Sequence, residues 1–364
     1  MTTATRGGLV GKAPTMYDVA ERAGVSIATV SFAFSRPEKI AAATREVVLA
    51  AAHELGYLPN AAARGLAKGS TGVLGFWSYD YDMVAAAADP TSLQRPVADA
   101  GWNYPIYVDE VQRGFQLESW RRDYAVLVHG GRTENSDVRI REAAARVDGL
   151  VALPRTVSRG ALHHLARRLP IVAISEAPDE DDVLSYVMTN NSSAMTELTG
   201  HLIEHHSLRR LVFVGSGVID FDVRFTGFQE ALQLHGLPVP PEPLGGFGAA
   251  RIAHQAASLT RELILQDELP DAVVCATDQH ALVVMDALRK GGVRLPDDVA
   301  VTGFDGLLAG GYAEPALTTV RQPMQEMGRA AAGLIIDLVN GPWSASGTRV
   351  TVNSELLIRH SCGC

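Results

Sequence analysis

Cysteine is scarce in this chain of 364 residues, with only Cys275, Cys362 and Cys364. So few, in odd number, cannot build a disulfide framework, and they point to a reducing compartment. No run of about 18 apolar residues occurs, which excludes an apolar membrane-spanning helix. Residues 1–14 lack the apolar centre of a signal peptide, so the expectation is a cytoplasmic protein with no membrane partner. Enzyme signatures are missing as well: there is no Walker A sequence and no Gly-x-Ser-x-Gly elbow. Gly215-Ser216-Gly217 follows a strand-like run, but Asp220 stands where the dinucleotide fingerprint needs its third glycine. The chain therefore reads as a non-enzyme without cofactor or metal. His201 and His205 stand four apart on a helical stretch with no carboxylate spaced to join them. Cys362-Gly363-Cys364 could form a redox or metal pair, but no four-ligand spacing surrounds it, and it reads as a detail of the tail.

Basic charge is also in deficit, since 32 Lys and Arg face 41 Asp and Glu for a net charge of −9. The deficit is uneven. Residues 1–70 hold eight basic and five acidic side chains, a net +3, which leaves −12 on the remainder. A small basic head on a large acidic body suggests an appended module for a polyanion. The content is otherwise that of a globular protein, 47% hydrophobic and 20% charged, and the length suits two or three domains of roughly 100–200 residues.

The chain divides accordingly. Residues 1–14 read as a flexible arm. Residues 15–58 carry helical patterning broken at Gly24 and at Ser35-Arg36-Pro37, with a stop at Gly56. From Thr71 onward short β-rich runs alternate with helical ones, such as Val73–Trp77, Tyr124–Val128, Gly149–Leu153, Ile171–Ile174, Leu211–Val214, Ala272–Cys275 and Val299–Thr302. That alternation predicts parallel sheets covered by helices on both faces, in two doubly wound lobes.

Within the head, Ala20, Gly24 and Val30 have the spacing of a helix-turn-helix. A small residue lets the helices approach, glycine serves a turn with positive φ, and Val30 packs the second helix onto the first. Ser26 is placed to cap that second helix. The string Thr15-Met-Tyr-Asp-Val-Ala-Glu-Arg-Ala-Gly-Val-Ser-Ile-Ala-Thr-Val-Ser31, with Thr44-Arg45 and Glu54-Leu-Gly-Tyr-Leu-Pro-Asn60, resembles the head of LacI/GalR-family transcriptional regulators. The resemblance extends through Ala63-Arg64-Gly65-Leu66 and, more weakly, over the body. It implies a small all-α helix-turn-helix head over residues 15–59, a hinge helix and linker over 60–71, and a two-lobed α/β body over 72–364 of the type I periplasmic-binding-protein kind. Its lobes would comprise about 72–188 with 320–351, and 189–319 with 352–364, with crossings near Met188–Asn191, Leu317–Val320 and after Thr351.

The same resemblance implies a homodimeric repressor that binds an operator in double-stranded DNA and responds to a small effector, most often a sugar and in some members a nucleobase. Tyr17, Ser26, Thr29, Ser31, Thr44, Tyr57 and Asn60 would contact phosphate, positioning the head without reading bases. Ile27, Ala28 and Phe32 would face base edges. Some members carry arginine at the position of Phe32, so readout here would lean on apolar contact with thymine methyls. Leu66 matches a leucine that wedges into the minor groove, and Ala63 the small residue that lets two hinge helices approach. In the body, Arg224 and Asp305 match pocket positions, and Phe247 matches an aromatic that stacks on a ring. Ser175 and Thr277 fall where many members carry Asp and Asn, and Trp77 would floor the cleft. Residues 80–101 form an insertion, readable as a lid or as surface elaboration. The competing reading is a small-molecule-binding protein or enzyme whose N-terminal helices only pack.

Overall fold

In the computed structural model the described residues are 13–58, 70–79, 106–131, 135–153, 156–175, 183–215, 219–244, 252–265, 269–341 and 347–364. They fall into two compact units, residues 1–72 and 73–364. Asn60, Ala63, Leu66, Phe247 and the 80–101 insertion lie outside the described residues.

Among the described residues, three α-helices build the first unit: α1 (Met16–Ala23), α2 (Ile27–Ser35) and α3 (Ala42–Leu55). Their apolar faces close on Val19, Ala20, Val30, Ala33, Val48, Ala51, Ala52 and Tyr57. Both α1 and α3 end in left-handed residues, Gly24 with φ 67° and Gly56 with φ 65°. A side chain there would be strained, which explains why the helical pattern breaks at glycine.

The second unit holds two sheets. The first contains β1 (Val73–Tyr79), β2 (Ala125–Gly131), β3 (Gly149–Ala152), β4 (Ile171–Ile174), β5 (Ser185–Thr189) and β10 (Arg349–Val352), in the order β10-β5-β4-β3-β1-β2. The second contains β6 (Leu211–Val214), β7 (Ala272–Cys275), β8 (Ala300–Asp305), β9 (Thr318–Arg321) and β11 (Glu355–Leu357), in the order β11-β9-β8-β7-β6. Every pairing is parallel except β11 with β9. Strands β3, β4 and β7 are buried along their whole length, as parallel strands covered on both faces must be.

On the first sheet, α4 (Ile106–Arg121) and α12 (Met324–Asn340) cover one face, with Phe115, Met327 and Ile335 in the core. Their backbones touch at Gly114 and Gly328, where an added Cβ would run into Gln325 O and Val111 O respectively. Helices α5 (Ser136–Ala144) and α6 (Arg159–Leu165) cover the opposite face. On the second sheet, α7 (Asn191–His206) and α8 (Ile219–Leu234) cover one face. The other carries α10 (Asp278–Lys290), against which α9 (Ile252–Leu265) also packs, at Ile264. A one-turn helix, α11 (Leu308–Gly311), follows β8. No helix of the described residues is long and apolar enough to cross a membrane.

Chain crossings between the sheets fall at residue 190, at 322–323 and at 353–354. The second lies later than the expected Leu317–Val320, because Val320 is a buried residue of β9 in the second sheet, paired with Phe304. The first and third lie side by side: Asn190 Oδ1 accepts from both the backbone N–H and the hydroxyl of Ser354, each at 2.7 Å.

Candidate functional site

The head presents an outward face around the start of α2. Thr15 opens α1, its backbone N–H donating to Asp18 Oδ2 at 2.6 Å and its hydroxyl to the same oxygen at 2.7 Å. The turn at Gly24 then redirects the chain, and Ser26 Oγ accepts the Thr29 N–H at 3.1 Å. That cap uses one of the four N–H groups a helix start leaves unpaired. The others, at the positive end of the helix dipole, suit an anion such as phosphate.

Burial of Ala20 and Val30 fixes which side of α2 faces out. Ile27, Ala28 and Phe32 are exposed, Phe32 at 37%, so its ring is not part of the head's core. Thr29, Ser31 and Thr44 are half-buried, while Tyr17 is exposed. Tyr57 lies elsewhere than a phosphate contact suggests: its ring is in the core, 5.9 Å from Phe34. Helix α2 carries no charged side chain, and Arg22 is turned to Glu54 at 2.5 Å.

The second unit gathers a different set at the carboxyl ends of its strands, where open α/β sheets bind ligands. Arg224, from α8, is 2% exposed. Its Nε donates to Asn191 Oδ1 at 2.9 Å and its Nη1 to Ala276 O at 2.6 Å. The guanidinium lies 3.9 Å from the Phe304 ring centroid and 3.7 Å from Asp305 Oδ1. Asp220, one turn earlier on α8, accepts from Asn191 Nδ2 at 3.0 Å and lies near enough to Ser175 for that hydroxyl to favour its ionised form. Ser175 caps β4 of the other sheet and also bonds the Tyr107 hydroxyl at 2.6 Å. One polar network thus bridges both lobes.

Two non-glycine residues at these strand ends are held at positive φ, Ser175 at 54° and Asp305 at 132°. Such conformations cost free energy and collect at functional sites. Three carboxyl groups, Asp220, Asp278 and Asp305, share this region with Arg224. Burial pushes the pKa of Asp305 up to about 7, against the pull of Arg224 and with help from Asp278 and Asp220. Burial also raises Asp220 and takes Asp278 to about 6. Asp278 has structural work: it accepts from Thr319 Oγ1 at 2.5 Å and Leu307 N at 2.6 Å. His280 is pushed down to about 4 by burial and then Arg224, so its ring is neutral.

The expected residues are only partly together. Arg224, Asp305 and Ser175 belong to the network. The Thr277 hydroxyl caps α10 and contacts His280 Nδ1 at 2.6 Å, so it is already engaged. Trp77 does not floor the cleft. Neighbouring strand residues point to opposite faces, so Phe76 packs under α4 and α12 while Trp77 is fully buried toward α5 and α6. There its indole donates to Thr156 O at 3.5 Å and stacks on His129.

Asn191, Asp220, Tyr107 and Gln322 join the site without having been singled out by spacing. Gln322 follows β9 on the second crossing and donates to Asp305 Oδ1 at 2.5 Å. Its buried Oε1 has no hydrogen-bond partner among the described residues. A groove of about 450 Å³ opens beside it, lined by Ile106, Asp305, Leu308, Arg321 and Gln325 among others.

Residues 15–60 match the family of bacterial regulatory proteins, lacI family, and residues 199–362 match the periplasmic binding protein-like domain. The chain is 30% identical over 362 residues to the HTH-type transcriptional regulator CelR of Thermobifida fusca, covering 96% of this chain and 98% of that one. It is 28% identical to the HTH-type transcriptional repressor CytR of Escherichia coli (strain K12), covering 96% of each. Among solved structures, a CelR–cellobiose complex superposes with a TM-score of 0.65 at 26% identity, over 96% of this chain and 99% of that chain. The Lac repressor dimer bound to operator and the anti-inducer ONPF superposes at 0.79 with 20% identity, over 96% of this chain and 99% of that chain, a likeness of fold.

Proposed function

The chain belongs to the lacI family of bacterial regulatory proteins, and on that footing we propose that it is a homodimeric repressor whose hold on an operator is set by a small polyhydroxylated effector in the body. The observation that carries the effector reading is the buried Arg224–Asp305 pair at the strand ends, flanked by Asn191, Asp220 and Gln322. A guanidinium fork donates to vicinal hydroxyl oxygens and a carboxylate accepts from hydroxyls. Phe304 and Phe221 supply apolar surface beside the guanidinium. The chemistry fits a sugar, and CelR, solved with cellobiose, supports a carbohydrate as the first class to test.

Operator recognition is assigned to the outward face of α2, with Ile27, Ala28 and Phe32 toward thymine methyls and the capped helix start toward phosphate. Thr29, Ser31, Thr44, Tyr17, Asn60, Ala63 and Leu66 complete the proposed DNA-contacting set. Thr277, Ser175 and Phe247 complete the proposed effector set around Arg224 and Asp305. Exposed Leu308 and Tyr312, on and just after α11, support a second copy of the chain as partner. Because Gln322 lies on a crossing and holds Asp305, an effector engaging that carboxylate acts on a segment that joins the lobes. Coupling of about 1–3 kcal/mol between the two ligands suffices for regulation.

Mobility-shift titration against DNA upstream of the protein's own gene, combined with calorimetry against carbohydrates and purines, tests this. Expected are a specific, salt-sensitive complex and one effector class that alters it. Leu66→Ala weakens operator binding far more than non-specific binding. Absence of any specific DNA complex, or equal losses for Leu66→Ala, overturns the reading.

A further inference from the structure

Four sulfur and nitrogen donors converge at the C-terminal end of α7, the opposite end of that helix from Asn191. His201 and His206 sit in the last turns of α7, and Cys362 and Cys364 in the turn that follows β11. One donor atom from each lies within 4.8 Å of all the others. Cys364 Sγ is 3.2 Å from His206 Nε2 and 3.5 Å from His201 Nε2, and Cys362 Sγ is 3.8 Å from His201 Nε2. Zinc at about 2.3 Å from sulfur and about 2.0 Å from nitrogen, with tetrahedral angles, spaces a sulfur and a nitrogen about 3.5 Å apart. The observed separations bracket that value. We propose that His201, His206, Cys362 and Cys364 form a tetrahedral site for a zinc-class divalent cation, which fastens the last turn of the chain to α7.

The surroundings are built for that geometry. The His201 and His206 rings stand 5.1 Å apart at 71°, so they approach from different directions. Gly363 has φ 106°, and a Cβ on it would stand 3.3 Å from His206 Nδ1. Glycine there lets both flanking thiols face α7. Thr318 Oγ1 donates to Cys362 Sγ at 3.2 Å, the kind of supporting contact that orients a ligand. The Cys362 thiol donates in turn to Arg359 O at 3.2 Å. On binding, each S–H bond is replaced by a sulfur–metal bond and two protons pass to solvent. Two thiolates with two imidazoles favour zinc over harder cations, and a set of four protein ligands marks a structural rather than a catalytic ion. The turn is also anchored to the second sheet, since Ser361 Oγ donates to Val301 O and accepts from Thr318 N. The ion would therefore tie that sheet's edge to the helix whose first residue, Asn191, holds Arg224.

The experiment uses the full chain, kept in a phosphine reductant, stripped with chelator and titrated with Co²⁺ alone. Expected are one equivalent per chain, the visible bands of tetrahedral Co²⁺, thiolate-to-cobalt charge transfer in the near ultraviolet, and displacement by Zn²⁺. Cys364→Ser and His206→Gln each weaken binding by more than about 100-fold, since outer partners alone cost about 10–100-fold. His205→Gln, an exposed neighbour, leaves binding unchanged. Chelator lowers the melting temperature of the parent chain but not of Cys364→Ser. An octahedral spectrum without charge transfer, sub-stoichiometric uptake, or parent-like binding by His206→Gln overturns the site. So does a Cys362–Cys364 disulfide that the reductant leaves closed. None of these readouts depends on DNA or effector.

Discussion

The head and the body keep the residues proposed to meet their ligands in opposite environments. On the head, Ile27, Ala28 and Phe32 lie in the open on a helix without a single charge. In the body, Arg224 is buried and Asp305 and Asp220, both ionisable, are at least half-buried beside it. The difference follows from what each must do. A surface that meets a large polyanion needs shape and exposed N–H groups, and the duplex itself completes the burial. A pocket for a small ligand must hold its polar groups in place beforehand, which means sinking them into the protein and satisfying them with neighbours. The head can therefore work from a small core, whereas the body holds one guanidinium with partners from a neighbouring helix and the ends of two strands.

Removing the buried cation strains that comparison most. Arg224→Ala leaves buried carboxyl groups without their partner, and breaking such a pair costs about 3–5 kcal/mol. The expected outcome is a body that unfolds at lower urea and no longer responds to effector, with DNA affinity of the folded protein unchanged. A normal effector response would mean the pocket lies elsewhere.

Next in size is a pH effect confined to the body. Asp305 has its folded pKa raised to about 7 by burial, above the ordinary carboxylate value. The stabilising contribution of its protonated form is complete below about pH 4 and is lost as pH rises through about 7. An effector whose hydroxyls donate to Asp305 selects the ionised form. Its affinity accordingly rises by about tenfold between pH 6 and 8, with proton release, the equivalent of one pKa unit. Calorimetry in buffers of differing ionisation enthalpy measures this, and Asp305→Asn flattens the profile.

On the head, effects are smaller. Ser26→Ala removes the α2 cap and costs about 1 kcal/mol. Hydrogen exchange of the α2 amides should quicken about fivefold, and DNA binding should weaken alike for all sequences. Phe32→Ala should cost less than the about 1–3 kcal/mol of a bidentate base contact. It lowers operator affinity severalfold while leaving non-specific binding and its salt slope unchanged. A large change in that slope would show that Phe32 positions the head rather than reads bases.

How much of this was legible in the sequence differs between the two units for the same physical reason. In the head, cap, turn and packing residues interact within ten positions, so Ala20, Gly24, Ser26 and Val30 are assigned from spacing. In the body, alternation of strands and helices announced the sheets, but strand-end partners are distant. Asn191 meets Arg224 33 positions away, and Asp220 had registered only as a residue spoiling a glycine motif. Trp77 lies away from the cleft: β1 is apolar on both faces, and its pattern does not say which side chains end under the covering helices. His201 and His205 drew attention by their spacing of four, yet the residue beside Cys364 is His206.

By itself, then, the sequence determined the local devices: a basic head of three helices, its caps and turn, and a body of parallel sheets. Those follow from periodicity, glycine placement and charge over short stretches of chain. Tertiary structure alone decided which side chains are buried together. Only folding brings Ser175 of one sheet to Asp220 above the other, Gln322 to Asp305, and the last turn's thiols to the end of α7. These contacts join residues far apart along the chain, and they are set by how helices pack on sheets, which short-range sequence patterns do not encode.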